Sequence, residues 1–237
     1  MRKENLIILL AMMVCLSGCT RVEIKSSEKN AIMQENTEDN AQKEEISLDY
    51  SCYDLLIDQI QSGLLNGFDN EGMQMDISSC FFTNTTYGAL GYAKKDINND
   101  GIKELILGDN GDGTSGSIIY DIYSINEKGE LCHVLDGWER NRYYLCEDGT
   151  IANEGSNGAD ESTYVYYKYD STSLSIEGNI IEAVIYDATA DADNPWFYSN
   201  TSTISTNAKQ ITAKEAQEIR DAYKYVTIEF IPFESER

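Results

Sequence analysis

Histidine is almost absent from this sequence: His133 is the only one in 237 residues. Histidine-based zinc hydrolysis, which takes two or three such ligands, is thereby excluded. A Ser-His-Asp or Cys-His mechanism would have to pass through this one residue, which sits between Cys132 and Val134 in a strand-like run. No Gly-x-Ser-x-Gly elbow supplies a nucleophile for it. His133 therefore reads as an exposed or satisfied strand histidine, and no catalytic residue is assigned. Phosphate-cradling glycine motifs are missing, and no Cys-x-x-Cys pair points to zinc or to a thioredoxin-like redox centre. Basic residues are scarce, with 18 Lys+Arg against 41 Asp+Glu and a net charge of −23. That balance excludes nucleic acid as a partner, because phosphate contacts need a basic face. It equally disfavours adhesion to anionic lipid headgroups by charge alone. Proline falls to 2 residues beside 16 Tyr and 17 Gly, a balance that favours strands over a helical bundle.

Long hydrophobic runs are lacking as well. The apolar stretch Leu6–Leu16 follows Met1-Arg2-Lys3 and would form roughly 16 Å of helix, short of the roughly 30 Å hydrocarbon core. A cationic lead, a short apolar segment and small residues before a cut site make a secretory signal over residues 1–18. The quartet Leu16-Ser17-Gly18-Cys19 resembles the lipobox of bacterial lipoproteins. That resemblance implies acylation of Cys19, which becomes the first residue of the mature chain at the extracytoplasmic face of the cell membrane. Each buried methylene of the acyl chains would contribute about 0.8 kcal/mol of anchoring. Residues 19–46 are polar and charged and cannot offset the entropy of ordering, so they read as an acidic tether. Such a tether spans on the order of 30 Å. Residues 47–237 remain as one globular domain.

Within that domain, Tyr53, Leu56, Ile57, Ile60 and Leu64 recur at helical spacing after a cap at Ser47 or Asp49, with Gly63 or Gly67 as the stop. A second helix starts at the capping box Thr212-Ala213-Lys214-Glu215, with Ala216, Ile219 and Tyr223 on one side. Strands are expected near Gly88–Lys94, Glu104–Gly108, Ser117–Ile125, Glu130–Leu135, Arg142–Cys146, Thr163–Tyr169, Ser175–Ile185, Ser202–Ser205 and Val226–Phe233. Asn126–Gly129 and Glu147–Gly149 read as hairpin turns. The pattern predicts an α+β fold: a mainly antiparallel sheet, meander or sandwich-like, with one N-terminal and one C-terminal helix packed on it. If Asp136–Asn141 turns a hairpin, Cys132 falls opposite Cys146. The disulfides Cys132–Cys146 and Cys52–Cys80 then stand as one reading and four free thiols as the other.

The sharpest motif is Asp96-Ile97-Asn98-Asn99-Asp100-Gly101-Ile102-Lys103-Glu104. Alternating oxygen donors suit a hard cation, and calcium takes six to eight oxygens at about 2.3–2.6 Å. Asp96, Asn98, Asp100, the Ile102 carbonyl and Glu104 are the expected ligands, with Gly101 permitting the sharp reversal. Leu107 stands where a full EF-hand loop needs a bidentate Glu, and a strand follows, so a helix-loop-helix hand is not expected. The pattern resembles the strand-loop-strand calcium loops of the FG-GAP and VCBS repeat families, and also a group of uncharacterised bacterial surface lipoproteins. Glu104 replaces the commoner Asp, and a single full copy occurs, so no propeller is implied. Three carboxylates in an incomplete shell place the affinity on the order of 10⁻⁴–10⁻³ M. An Asx-rich turn is the plain alternative. Asp109-Asn110-Gly111-Asp112-Gly113 reads first as a mobile turn, with Asp109 or Asp112 as a candidate to complete the shell, and Asp187, Asp191 and Asp193 read as a solvated loop.

Two functions follow as expectations. The first is a lipid-anchored surface protein with structural calcium that binds a glycan or protein partner. Tyr164, Tyr166, Tyr167 and Tyr169, with Trp138, Trp196, Phe197 and Tyr198, offer flat faces for sugars, unless they simply pack a half-buried strand. The alternative is a carboxylate-dependent hydrolase of cell-envelope polysaccharide, which needs two acids in one cleft.

Overall fold

The computed structural model describes residues 48–68, 75–83, 88–111, 116–170, 176 and 178–234. The signal segment, the Cys19 lipidation site, the tether, Ser47 and Asp112 all lie outside the described residues. The described part belongs to one compact unit, Ile46–Arg237.

Helix α1 runs Ser51–Asn66 and buries Tyr53, Leu56, Ile57 and Ile60, the spacing expected of its apolar face. Asp49 Oδ1 accepts the Ser51 N–H at 2.9 Å, tying down one of the four amides that a helix start leaves open. Gly67, at φ 85°, ends the helix. A one-turn helix α2 (Cys80–Thr83) follows. Helix α3 (Ala213–Ala222) begins at Thr212 with both halves of the capping box formed.

Eleven strands make one antiparallel sheet. In chain order they are β1 (Gly91–Lys95), β2 (Glu104–Asp109), β3 (Ile118–Ile125), β4 (Leu131–Asp136), β5 (Asn141–Leu145) and β6 (Thr150–Ser156). These are followed by β7 (Glu161–Lys168), β8 (Ile180–Asp187), β9 (Trp196–Ser199), β10 (Lys209–Gln210) and β11 (Ile231–Pro232). Their spatial order is β10-β9-β8-β7-β6-β5-β3-β2-β1-β11, with β4 also paired to β3. The sheet is a meander rather than a sandwich. Strands β2 and β3 are buried along their whole length. Leu105, Leu107, Tyr120 and Tyr123 join the core under α1, while Ile106, Ile119 and Ile122 enter a second core on the opposite face. Among the described residues no helix is long and apolar enough to cross a membrane.

Several expectations are corrected. Strand β6 lies outside the strands expected from the sequence. It forms since Ile151 and Ala152 are buried and the Asn153 amide donates to Asn141 Oδ1 (2.8 Å) and the Arg142 carbonyl (3.2 Å). Trp196–Ser199, not Ser202–Ser205, is the strand near that end. It starts directly after Pro195, a boundary where the missing N–H costs no ladder bond. Of Val226–Phe233, only Ile231–Pro232 pairs with β1. Val226 instead donates to the Leu145 carbonyl at 2.9 Å and Ile228 to Ser117 Oγ at 2.7 Å, so this stretch drapes apolar Ile228 onto the second core.

The expected hairpin between β4 and β5 is also corrected, and with it the geometry behind a Cys132–Cys146 bond. Both strands follow the same edge of β3, one after the other: Cys132 faces Ser124 and Tyr143 faces Ile119. Cys146 lies beyond that point, bridged to Tyr225. The two cysteines therefore sit toward opposite ends of an eight-residue strand rather than across a ladder. Cys52, Cys132 and Cys146 carry free thiols, so neither expected disulfide is present.

Candidate metal centre

Strands β1 and β2 pair from Gly91↔Gly108 to Lys95↔Glu104, so Asp96 through Lys103 form the loop of a hairpin. Two backbone positions let the chain reverse there: Gly101 at φ 90° and Asn99 at φ 62°. Asn is among the few side-chain-bearing residues that tolerate the left-handed region.

The loop is organised by its carboxylates. Asp96 Oδ1 accepts the N–H of Asn99 at 2.7 Å and of Asp100 at 3.3 Å, while Oδ2 accepts that of Gly101 at 2.9 Å. Asn98 Oδ1 accepts the Asp100 N–H at 3.2 Å, and its amide donates to Asp100 Oδ2 at 2.9 Å. Asp100 Oδ1 accepts the Ile102 N–H at 2.7 Å. Asp96, Asn98 and Asp100 are thus gathered at the loop tip, partly or fully open to solvent.

Glu104 stands differently. It is fully buried at the first position of β2. Its Oε2 accepts the Ile97 N–H at 3.0 Å, closing the loop from below, and its Oε1 takes the Tyr169 hydroxyl at 3.3 Å and that of Ser124 at 3.5 Å. Burial pushes its carboxyl up to about 7, with the charge of Asp100 adding to the rise and the Ile97 N–H opposing it. Tyr53 of α1 donates to the Lys103 carbonyl at 2.9 Å, and Tyr50 accepts the Lys103 N–H at 3.0 Å, so the loop is stapled to the first helix.

The arrangement is a preformed turn of hard oxygens with one buried carboxylate beneath. Among the described residues the acids are not drawn into a group of three or more around one point. The donor types fit calcium, but Asp96 and Asp100 hold the loop's own amides, and a cation would have to share oxygens with them. Asp109 does not complete this shell. It lies at the other end of β2, about 17 Å from Glu104 at strand rise. There it accepts Gly111 N–H at 2.6 Å, Tyr120 hydroxyl at 2.8 Å and Gly88 N–H at 3.1 Å.

Several of the other acidic and aromatic candidates are engaged within the fold. Asp187 accepts the N–H groups of Thr189 and Ala190, and Asp191 those of Asp193 and Asn194, as turn-forming Asx residues do. Tyr166 is buried and stacked on Tyr223 at 3.5 Å, and Tyr169 is buried against Glu104. Tyr164 is half-buried beneath Arg220, whose guanidinium lies 3.7 Å from its ring centroid. The alternating tyrosines therefore mostly pack. Trp138 is 50% exposed.

One cluster was missed from sequence. Asp121 is fully buried in β3 and accepts the Ser78 N–H at 3.0 Å on each oxygen. His133 Nε2 lies 3.0 Å from Asp121 and its Nδ1 3.0 Å from Asp76, and its ring stacks on Tyr123 at 4.5 Å. Burial raises the Asp121 carboxyl to about 6 against the pull of His133 and Ser78. Burial disfavours the charged imidazole, yet Asp121 and then Asp76 hold His133 up to about 9. His133 is thus an ion-paired strand residue. A single Asp inside the apolar run Ile118–Ile125 was the available signal for this cluster. No protein-family model, curated protein or solved structure matches the chain.

Proposed function

We propose that this chain is an extracytoplasmic surface protein, held at the membrane by acyl chains on Cys19, in which the hairpin loop Asp96–Glu104 takes a structural calcium ion beside a partner-binding sheet. The observation that carries the calcium reading is the gathering of Asp96, Asn98 and Asp100 at one loop tip over the buried Glu104. Calcium would be bound by side-chain oxygens of Asp96, Asn98, Asp100 and Glu104 with the Ile102 carbonyl, and would supply fixed positive charge and no chemistry. With affinity on the order of 10⁻⁴–10⁻³ M, millimolar calcium would add about 0.4–1.4 kcal/mol of stability. A calorimetric melt tests this: calcium is expected to raise the midpoint over chelator, and magnesium at equal concentration is not. Equal midpoints in all three conditions would contradict it.

Carboxylate-dependent hydrolysis of envelope polysaccharide stands as a second reading on one observation: Glu139 and Glu154 line the same cavity. Retaining or inverting cleavage needs two such carboxylates flanking one bond. Release of reducing ends from a wall polysaccharide, abolished in Glu154→Gln, is its test.

A further inference from the structure

Tyr50 stands at the N-cap of α1, a position that Ser, Thr, Asp or Asn usually fill because their short side chains accept the helix's own open amides. Its side chain makes no such bond. The Tyr50 hydroxyl reaches 53 residues along the chain instead and accepts the Lys103 N–H at 3.0 Å. About one helical turn on, the buried Tyr53 donates to the Lys103 carbonyl at 2.9 Å. Both backbone groups of one loop residue are therefore held by the first turn of α1. The two tyrosine rings stand 5.4 Å apart, and Lys94 of β1 pairs with Asp54 on the same turn.

Lys103 lies between two of the expected calcium ligands, the Ile102 carbonyl and the Glu104 carboxylate. Its N–H belongs to the same peptide unit as the Ile102 carbonyl. That peptide is trans, so the two groups point in opposite directions. By accepting the N–H, Tyr50 fixes the direction of the carbonyl and turns it away from α1. A cation on the carbonyl oxygen would draw electron density through the planar peptide and make the N–H a stronger donor to Tyr50. On the other side of Lys103, the Tyr53 bond sets the entry into β2, where Glu104 closes the loop on the Ile97 N–H. Hydrogen-bonded partners just outside a metal's ligands orient those ligands before the ion arrives. The coupling is reciprocal: a contact that tightens when calcium binds must in turn tighten calcium.

We infer that Tyr50 is a positioning residue for the calcium loop, and that occupancy of the loop is transmitted through Lys103 to the first turn of α1, the described helix nearest Cys19 in sequence. The inference rests on the calcium reading and adds to it a response outside the loop. Hydrogen exchange of the full chain along a calcium titration tests it. The amides of Tyr53 and Asp54 both donate to the Tyr50 carbonyl and report the first turn of α1. Those of Asn99 and Gly101 report the loop, and those of α3 report the rest of the fold. Calcium is expected to slow the first-turn amides at least threefold and those of α3 less. Tyr50→Phe, which keeps the ring and removes the hydroxyl, is expected to erase that slowing. It is also expected to raise at least threefold the calcium concentration at which the loop amides reach half of their response. A loop that responds while the first turn does not, equal slowing in α3, or an unchanged half-response in Tyr50→Phe would overturn the coupling and leave the calcium loop standing. No response of the loop at any calcium concentration would overturn the coupling and the calcium reading together.

Discussion

Asp121 and Asp96 each accept backbone N–H groups, but they differ in how their negative charge is met. Asp121 is buried within the sheet and meets a cation of the chain itself, His133, at 3.0 Å. Asp96 sits in an open hairpin loop and meets three peptide N–H groups. Peptide dipoles orient a carboxylate and lower its energy, yet they carry no net charge. The buried acid thus has its counter-charge within the fold, whereas at Asp96 the proposed calcium ion would supply one. In a chain with 41 acids and 18 Lys+Arg, cations of its own are too few to serve every site.

The largest effect that sharpens this contrast is expected at Asp121. Asp121→Ala would orphan the Ser78 N–H and remove the buried partner of His133, costing about 3–5 kcal/mol in urea unfolding. A loss below about 1 kcal/mol would show that the cluster is no buried ion pair.

Next comes its pH dependence. The folded His133 sits at about 9 against about 6.5 unfolded, so its contribution is fully present below about 6.5 and is lost as pH rises through about 9. Asp121, raised to about 6, likewise binds its proton more tightly when folded, so between pH 4 and 6 it pushes stability in the same downward direction as pH rises. Stability is therefore expected to fall by up to about 3 kcal/mol between pH 6.5 and 9. Denaturant midpoints across that range would measure it, and His133→Gln should flatten the slope.

A smaller test addresses the loop's own geometry. Asn99→Ala, at φ 62°, is expected to cost about 1–2 kcal/mol in chelator, while Asn99→Gly stays within a few tenths. Such a result would show that the turn is shaped by the backbone before any ion arrives. Smallest is Asp100→Asn. In chelator its stability should lie within about 0.5 kcal/mol of the parent chain, while the calcium increment of about 0.4–1.4 kcal/mol disappears.

The legibility of the sequence follows the same division between local and non-local causes. Helix α1 could be read because Tyr53, Leu56, Ile57 and Ile60 repeat at 3.6-residue spacing, and α3 because Thr212 and Glu215 are three residues apart. The hairpin around Asp96–Lys103 was readable for a similar reason, since a Gly and alternating Asx residues separate two apolar runs. Register was not readable. In β4, Ile122 faces Leu135 and Tyr123 faces His133, so Val134 is an extra residue. In β3, Leu107 faces Asp121 and Gly108 faces Ile119, leaving Tyr120 extra. These two bulges re-aim side chains locally, and no composition or periodicity records them. The cysteine geometry failed on the same ground: a tight turn at Trp138–Asn141 does occur, but its two arms both pair with β3 instead of with each other. Of the candidate ligands, Asp96, Asn98 and Asp100 follow from the motif alone. The burial of Glu104 depends on Ser124 and Tyr169, which are distant in sequence.

The most direct measurement of the central claim uses terbium, a luminescent stand-in for calcium, with excitation of tyrosine. Tyr50 and Tyr53 are hydrogen-bonded to Lys103 inside the loop and are placed to sensitise an ion held there. The account predicts terbium emission that rises with occupancy, is displaced by calcium but not by equimolar magnesium, and is lost in Asp100→Asn. Emission that persists unchanged in Asp100→Asn, or none at any terbium concentration, would contradict a cation in this loop.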